Sequence, residues 1–198
     1  MIRPAAALLI SFSLCPFGAA AAEPPAGPEW IDQSRQLAVQ LGTELKGELG
    51  RAIEQGGPVA AIDVCQKRAP EIAARLSGQS GATVSRTALR VRNPANVPDE
   101  LQRAVLGQFA AELASGRVQG PQEAVFEINH GGRIERRYMR AIPTDALCLT
   151  CHGENLSPGL AAAIAGRYPG DQATGFKQGE LRGAFSVVWP AAPAPAAR

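Results

Sequence analysis

The sequence predicts an α+β domain built on an antiparallel sheet. Three features carry this expectation. Two stretches with apolar residues at helical spacing open the chain, shorter alternating stretches mixed with short helices follow, and short strand links favour antiparallel pairing.

The first residues stand apart. Met1-Ile2-Arg3 carries one positive charge, Ala5 to Phe17 is apolar, and Gly18 is followed by four alanines. This is the pattern of a secretory signal peptide, residues 1–22, cleaved after Ala22. The apolar run is short for a bilayer span, so an inserted N-terminal anchor is the less favoured alternative. Cys15 follows Leu14 rather than a small residue, which argues against lipid attachment there. Residues 23–29 are Pro-rich and read as a linker into a domain expected over 30–189.

Leu37, Leu41, Leu45, Leu49 and Ile53 recur every fourth residue and predict a one-sided helix from Trp30 to about Gln55. Gly56-Gly57-Pro58 breaks it. A second helix to about Leu76 carries Ile62, Cys65, Ala69, Ile72 and Leu76 on one stripe, kinked or interrupted by Pro70. Thr83 to Val91 alternates loosely and reads as a strand. Asn93 to Pro98, with two prolines, is irregular. Asp99 caps a helix through about Ser115, closed by Gly116. Ala124 to Asn129 and Ile134 to Ile142 read as strands around the turn His130-Gly131-Gly132. A loop bearing Cys148 and Cys151, a short helix near Leu160 to Ala165 and a strand from Gly183 to Trp189 complete the domain. Residues 190–198 are a Pro/Ala tail, expected to be disordered.

The formal net charge of +2 falls to +1 once Arg3 leaves, and no basic block stands out. Nucleic acid is therefore not an expected partner. No segment after residue 22 reaches membrane-spanning length, and the remaining length leaves no room for a signalling output domain. After Cys15 departs, Cys65, Cys148 and Cys151 remain, an odd number for an oxidising compartment.

Cys148-Leu149-Thr150-Cys151-His152 is C-x-x-C-H, the attachment string for c-type haem. Two thiols at this spacing reach the two vinyl groups along one haem edge, and the adjacent imidazole gives iron its proximal nitrogen. The expected cofactor is one covalent haem c, which fits export to a bacterial periplasm. A thioredoxin-like redox pair needs a βαβ setting that is absent here. A zinc site needs a fourth ligand and strains a vicinal Cys-His pair.

The opposite face of the iron has three candidates. Met139 lies in a strand close to the motif, and His130 sits at an exposed turn. Cys65 lies on an apolar helical stripe. It reads equally as a small buried hydrophobe or as a ligand, and an unpaired thiol in an oxidising compartment tips the balance toward ligation.

Further strings carry a family resemblance. They are Val64-Cys65-Gln-Lys-Arg-Ala-Pro70-Glu-Ile72, Arg86-Thr87, Arg92-Asn93-Pro94-Ala95-Asn96-Val97-Pro98, Cys148-Leu-Thr-Cys151-His152-Gly153, Tyr168-Pro169-Gly-Asp171-Gln-Ala173-Thr-Gly175 and Gly179-Glu-Leu-Arg182-Gly183-Ala184. Together they span most of the chain from Trp30 to Trp189. With them the sequence resembles the PAS-like c-type haem domains that occur as free-standing exported proteins and as sensory modules of bacterial histidine kinases and chemoreceptors. It departs at Leu101-Gln102, where relatives carry an aromatic and an acid, and at Phe176, where tyrosine is frequent. The resemblance implies a PAS-like antiparallel sheet with N-terminal helices, and iron held by His152 and the Cys65 thiolate.

Such a six-coordinate iron implies a low-potential electron-transfer protein rather than an enzyme, since a thiolate favours the ferric state. The alternative is a haem-based redox or gas sensor. Either function needs a separate redox or signalling partner. Arg90, Arg92, Arg140, Tyr168, Lys177 and Arg182 are the candidates for holding haem propionates.

Overall fold

The structure is a computed structural model that describes residues 28–117 and 119–193. The expected signal peptide, residues 23–27 of the linker and residues 194–198 of the tail lie outside the described residues. Helix α1 (Glu29–Asp63) opens the described chain. The helix starts inside the expected linker because Pro28, with no N–H to satisfy, is well suited to the residue just before a helix.

The leucine stripe of α1 divides into two parts. Leu41, with Trp30 and Ala38 beside it on the same helix, packs onto the sheet. Leu45, Leu49 and Ile53 line a cavity further along. The helix bends at Gly57, whose φ of 71° is open to glycine, at the break expected from Gly56-Gly57-Pro58. A single π-helical turn, Val64–Arg68, joins α1 to α2 (Ala69–Ser80). In this turn the Ala69 N–H reaches back five residues to the Val64 carbonyl. Pro70 accounts for the widening. It has no N–H to give, and in a regular turn its ring would crowd the carbonyl of Gln66. Cys65 sits within this turn.

Four strands form one fully antiparallel sheet in the order β1-β4-β3-β2. They are β1 (Thr83–Thr87), β2 (Glu123–His130), β3 (Arg133–Pro143) and β4 (Leu181–Pro193). Gly131 and Gly132, at φ 63° and 90°, close the β2–β3 hairpin as a tight turn of the type its strand twist favours. Strand β1 ends at Thr87, short of the expected Val91. There the chain turns off the ladder, with the Ala88 N–H bonded to the Asn96 carbonyl and the Val91 carbonyl to the Gln172 N–H. Strand β4 runs past Trp189 to Pro193, so the expected disordered tail is ordered at its start. Its partner β1 begins opposite Val188, and a register shift against β3 falls where Pro190 lies. A proline is tolerated there because one side of the strand is no longer paired.

Helices cover both sheet faces. On one face α1 buries Trp30 and Ala38 against Tyr138, Val187 and Trp189. On the other, α3 (Glu100–Ala114) buries Val105, Leu106 and Phe109 against Met139, Ala141 and Ala184. Asp99 and Gln102 form a reciprocal capping box at the start of α3. The expected α+β class with N-terminal helices is the observed one. Among the described residues no helix is long and apolar enough to cross a membrane.

The first face is pinned by a buried polar chain. Trp189 Nε1 donates to Ser34 Oγ at 2.8 Å, and the Ser34 hydroxyl donates to the Trp30 carbonyl at 2.6 Å. Ser34→Ala is expected to leave the Trp189 N–H buried without a partner and to cost about 1–3 kcal/mol. A lower urea midpoint at unchanged m-value reads this out.

Candidate functional site

The cysteine motif lies on a short helix, α4 (Ala146–His152), rather than in the expected loop. Asp145 caps it, accepting from the Cys148 N–H at 3.1 Å, and Ala146 and Leu147 are good helix formers. Helical spacing then puts positions 148, 151 and 152 on one face. The helix ends at Gly153, where a Cβ would sit 2.6 Å from the Leu149 carbonyl oxygen. Beyond it, Phe176 N–H donates to the His152 carbonyl and Gly175 N–H to the Gly153 carbonyl, both at 2.9 Å. These bonds tie α4 to the loop that follows α5 (Pro158–Arg167).

Cys148, Cys151 and His152 all line one cavity, and Cys65 lines it from the π-helical turn. The sequence separates Cys65 from the motif by more than eighty residues, and the fold brings them together. The cavity is a cleft open to solvent at its mouth. Leu45, Leu49, Ile53, Ile142, Leu147 and Phe185 give it apolar walls. Among the described residues no three His, Cys, Asp or Glu side chains converge on a point as a bare metal ion requires, so these groups surround a volume instead.

The His152 ring is oriented from behind. Its Nδ1 lies 2.6 Å from the Ala173 carbonyl oxygen. A carbonyl only accepts, so Nδ1 carries the proton and Nε2 keeps a free lone pair. Burial, with the charges of Arg182 and Arg92 beside it, holds the imidazolium well below its ordinary range. The ring is therefore neutral and able to ligate. It also meets Phe176 edge-on, with centroids 6.3 Å apart.

Cys148 and Cys151 are free thiols raised above their ordinary values. Burial is the main cause for both, reinforced by Asp145 at Cys148 and by Cys65 at Cys151. A redox-active C-x-x-C pair has the opposite tendency, and an all-antiparallel sheet has no βαβ unit to carry one. Asp145 also pairs with Lys46 of α1. Burial works against its charged form, but Lys46 and the Cys148 N–H and S–H outweigh it and hold the carboxyl at about 2. Its contribution to holding α4 is fully present above the ordinary carboxylate range and is lost as pH falls through about 2.

Arg92 clamps the site from beneath. Its guanidinium donates to both Asp171 oxygens, at 3.1 and 3.0 Å, and to the carbonyls of Cys151 and Ala173, at 2.8 and 3.2 Å. Both side chains of the ion pair are buried, 7% and 9% exposed. Asp171→Ala is expected to strand the Arg92 charge and cost about 3–5 kcal/mol, measured by urea denaturation. It should also loosen His152, because the same loop supplies the Ala173 carbonyl.

The remaining candidates separate clearly. Met139 is buried under α3 on the far sheet face. His130 is exposed at the hairpin end. Arg140 pairs with Glu123 and Lys177 reaches Glu154, both away from the cavity. Tyr168 packs on Ile62, Leu160 and Ile164. Arg90 lies over the Phe176 ring, 4.1 Å from its centroid, and does not line the cavity. Arg92 and Arg182 do line the cavity, and so does Arg86, which the list of cationic candidates lacked. A weak signal was available: Arg86 stands two residues after buried Val84 in β1 and so on the same face.

The Tll0287-like family model matches residues 22–190. Among solved structures, the crystal structure of the cyanobacterial heme-protein Tll0287 is similar, with a TM-score of 0.62 and 27% identity. The match covers 85% of this chain and 99% of that one. No curated protein matches the chain. The family resemblance read from the sequence strings is thereby borne out. With a family match spanning most of its length and a shared fold, the chain belongs to the Tll0287-like family.

Proposed function

We propose that the chain is an exported c-type haem protein that transfers electrons at low potential, with Cys148 and Cys151 as thioether attachments, His152 as proximal ligand and Cys65 as distal ligand. One observation carries the proposal: all four residues, scattered between α4 and the π-helical turn, line a single apolar cavity. The similar cyanobacterial structure is that of a haem protein, which supports the cofactor class.

The cavity fits the group on independent grounds. A haem is a flat apolar ring with two carboxylates and a cationic centre. The walls are apolar, the imidazole is neutral with Nε2 free, and a buried guanidinium atom, Arg182 Nε, has no partner. When bound, the haem supplies a one-electron couple. The residues do the rest. Cys148 and Cys151 hold the edge, His152 is aimed by Ala173, and the Cys65 sulfur adds an electron-rich anion that favours the oxidised state. Were His152 and Cys65 both to hold the iron, no position on it would be left for a substrate. The leader-like residues 1–22 support a periplasmic location.

A second reading, a redox or gas sensor acting through a separate partner, is favoured by one feature. Cys65 lies in a π-helical turn, a widened segment that marks many functional sites and can relax if its ligand bond is lost.

Expression of the full chain with export and haem-maturation machinery tests the proposal. The expected product is a periplasmic chain beginning near Glu23, one haem heavier under denaturing conditions, that exchanges electrons with quinol or cytochrome partners in milliseconds. A cytoplasmic chain without bound haem contradicts it. A haem-bearing chain that exchanges electrons only slowly, yet changes conformation on reduction, favours the sensor.

A further inference from the structure

Two arginines on the cavity wall, Arg86 and Arg182, lack the partners that the neighbouring cations have. Arg92 is matched by Asp171 and Arg140 by Glu123. No carboxylate among the described residues pairs with Arg86 or Arg182. Arg182 makes one long contact, Nη1 to the Arg90 carbonyl at 3.4 Å, and packs 5.4 Å from the Phe176 ring centroid. Its Nε is buried with no hydrogen-bond partner. Arg86 is half-buried. No hydrogen bond or ion pair to another described side chain engages its guanidinium, and the residue lines the cavity.

Two guanidiniums near one another in an apolar wall are costly without an anion. Burial lowers both, and Arg86 further depresses Arg182, to about 10. Arg86 lies close enough to feel Cys65, and Arg182 close enough to act on His152. Both arginines line the same cavity as Cys65 and His152. Charge counting agrees. Ferric iron, a dianionic ring and one thiolate sum to zero, which leaves two side-chain carboxylates to be matched by two cations.

We infer that Arg86 and Arg182 form the binding site for the two carboxylates of the haem, an inference that rests on the haem reading above. Arg92 is committed to Asp171 and shapes the loop, and Arg90 stays outside.

The test uses the exported holoprotein and the variants Arg86→Gln, Arg182→Gln, Arg86→Lys and Arg182→Lys, with Lys177→Gln as a surface control. Denaturing mass analysis first establishes that haem is attached. If no haem is found in the unsubstituted protein, the haem reading itself fails. With haem attached, each Gln variant should shift the propionate bending bands in the resonance Raman spectrum and move the midpoint potential to a more negative value. Each Lys variant should return part of both shifts, the ferric EPR ligand signature should stay, and Lys177→Gln should change nothing. Gln variants with unaltered propionate bands overturn the inference. So does a changed EPR ligand signature with unaltered propionate bands, which would make the guanidiniums partners of the Cys65 sulfur instead. The Lys variants keep the charge, so they give a reading even where a Gln variant does not accumulate.

Discussion

Cys65→Ala is expected to leave the haem covalently attached, remove the thiolate signature from the ferric spectrum and raise the midpoint potential. The physical reason is the charge of the sulfur. A thiolate stabilises ferric over ferrous iron, and its loss removes that preference. The rise should be on the order of 0.1 V, a fraction of the roughly 0.8 V that axial ligands span across haem proteins. Covalent attachment is untouched because Cys65 belongs to the π-helical turn and not to α4. The substitution is also mild for the fold. Cys65 is half-buried at the cavity surface, while Val64 and Ala69 beside it carry the packing against Leu45. Redox titration and absorption spectroscopy of the variant check both halves. An unchanged spectrum and potential would return Cys65 to the role of a small hydrophobe.

The second large effect falls on attachment. Cys148→Ala should sharply reduce the yield of covalent haem, and replacement of both Cys148 and Cys151 should leave any haem extractable by acidified solvent. In the proposed attachment each thiol would form one thioether, and the two are held three residues apart on α4, both lining the cavity. Denaturing electrophoresis with haem staining reads this directly. Retention of covalent haem by the double variant would contradict the assignment of the motif. Asp145 contributes through α4 itself, since it caps the helix and binds Lys46. Its loss should therefore weaken the placement of the motif in the folded protein more than its chemistry.

Much of this was legible in the sequence. The stripe of leucines in α1, the Asp99 cap and the Gly131-Gly132 hairpin are local signals, and the corresponding elements formed where expected. Strand β4 passed Pro190 unforeseen, because tolerance of a proline there depends on where β1 stops pairing, a tertiary fact. Helix α4 escaped because seven residues are too few to show a period, although Asp145 before Ala146-Leu147 was a usable cap signal. At the site, the C-x-x-C-H string was evident by itself, but its meeting with Cys65 is a product of the fold. Arg86 was missed for the same reason. A five-residue strand gives little alternation, and only the cavity shows that this arginine shares a wall with Arg182.

The most direct test of the central claim is the absorption and EPR spectrum of the ferric protein, matured with its haem. The account predicts a low-spin signal of thiolate opposite imidazole, from Cys65 and His152. A His/Met, bis-His or high-spin signal would contradict it, keeping the attachment at Cys148 and Cys151 but taking Cys65 off the iron.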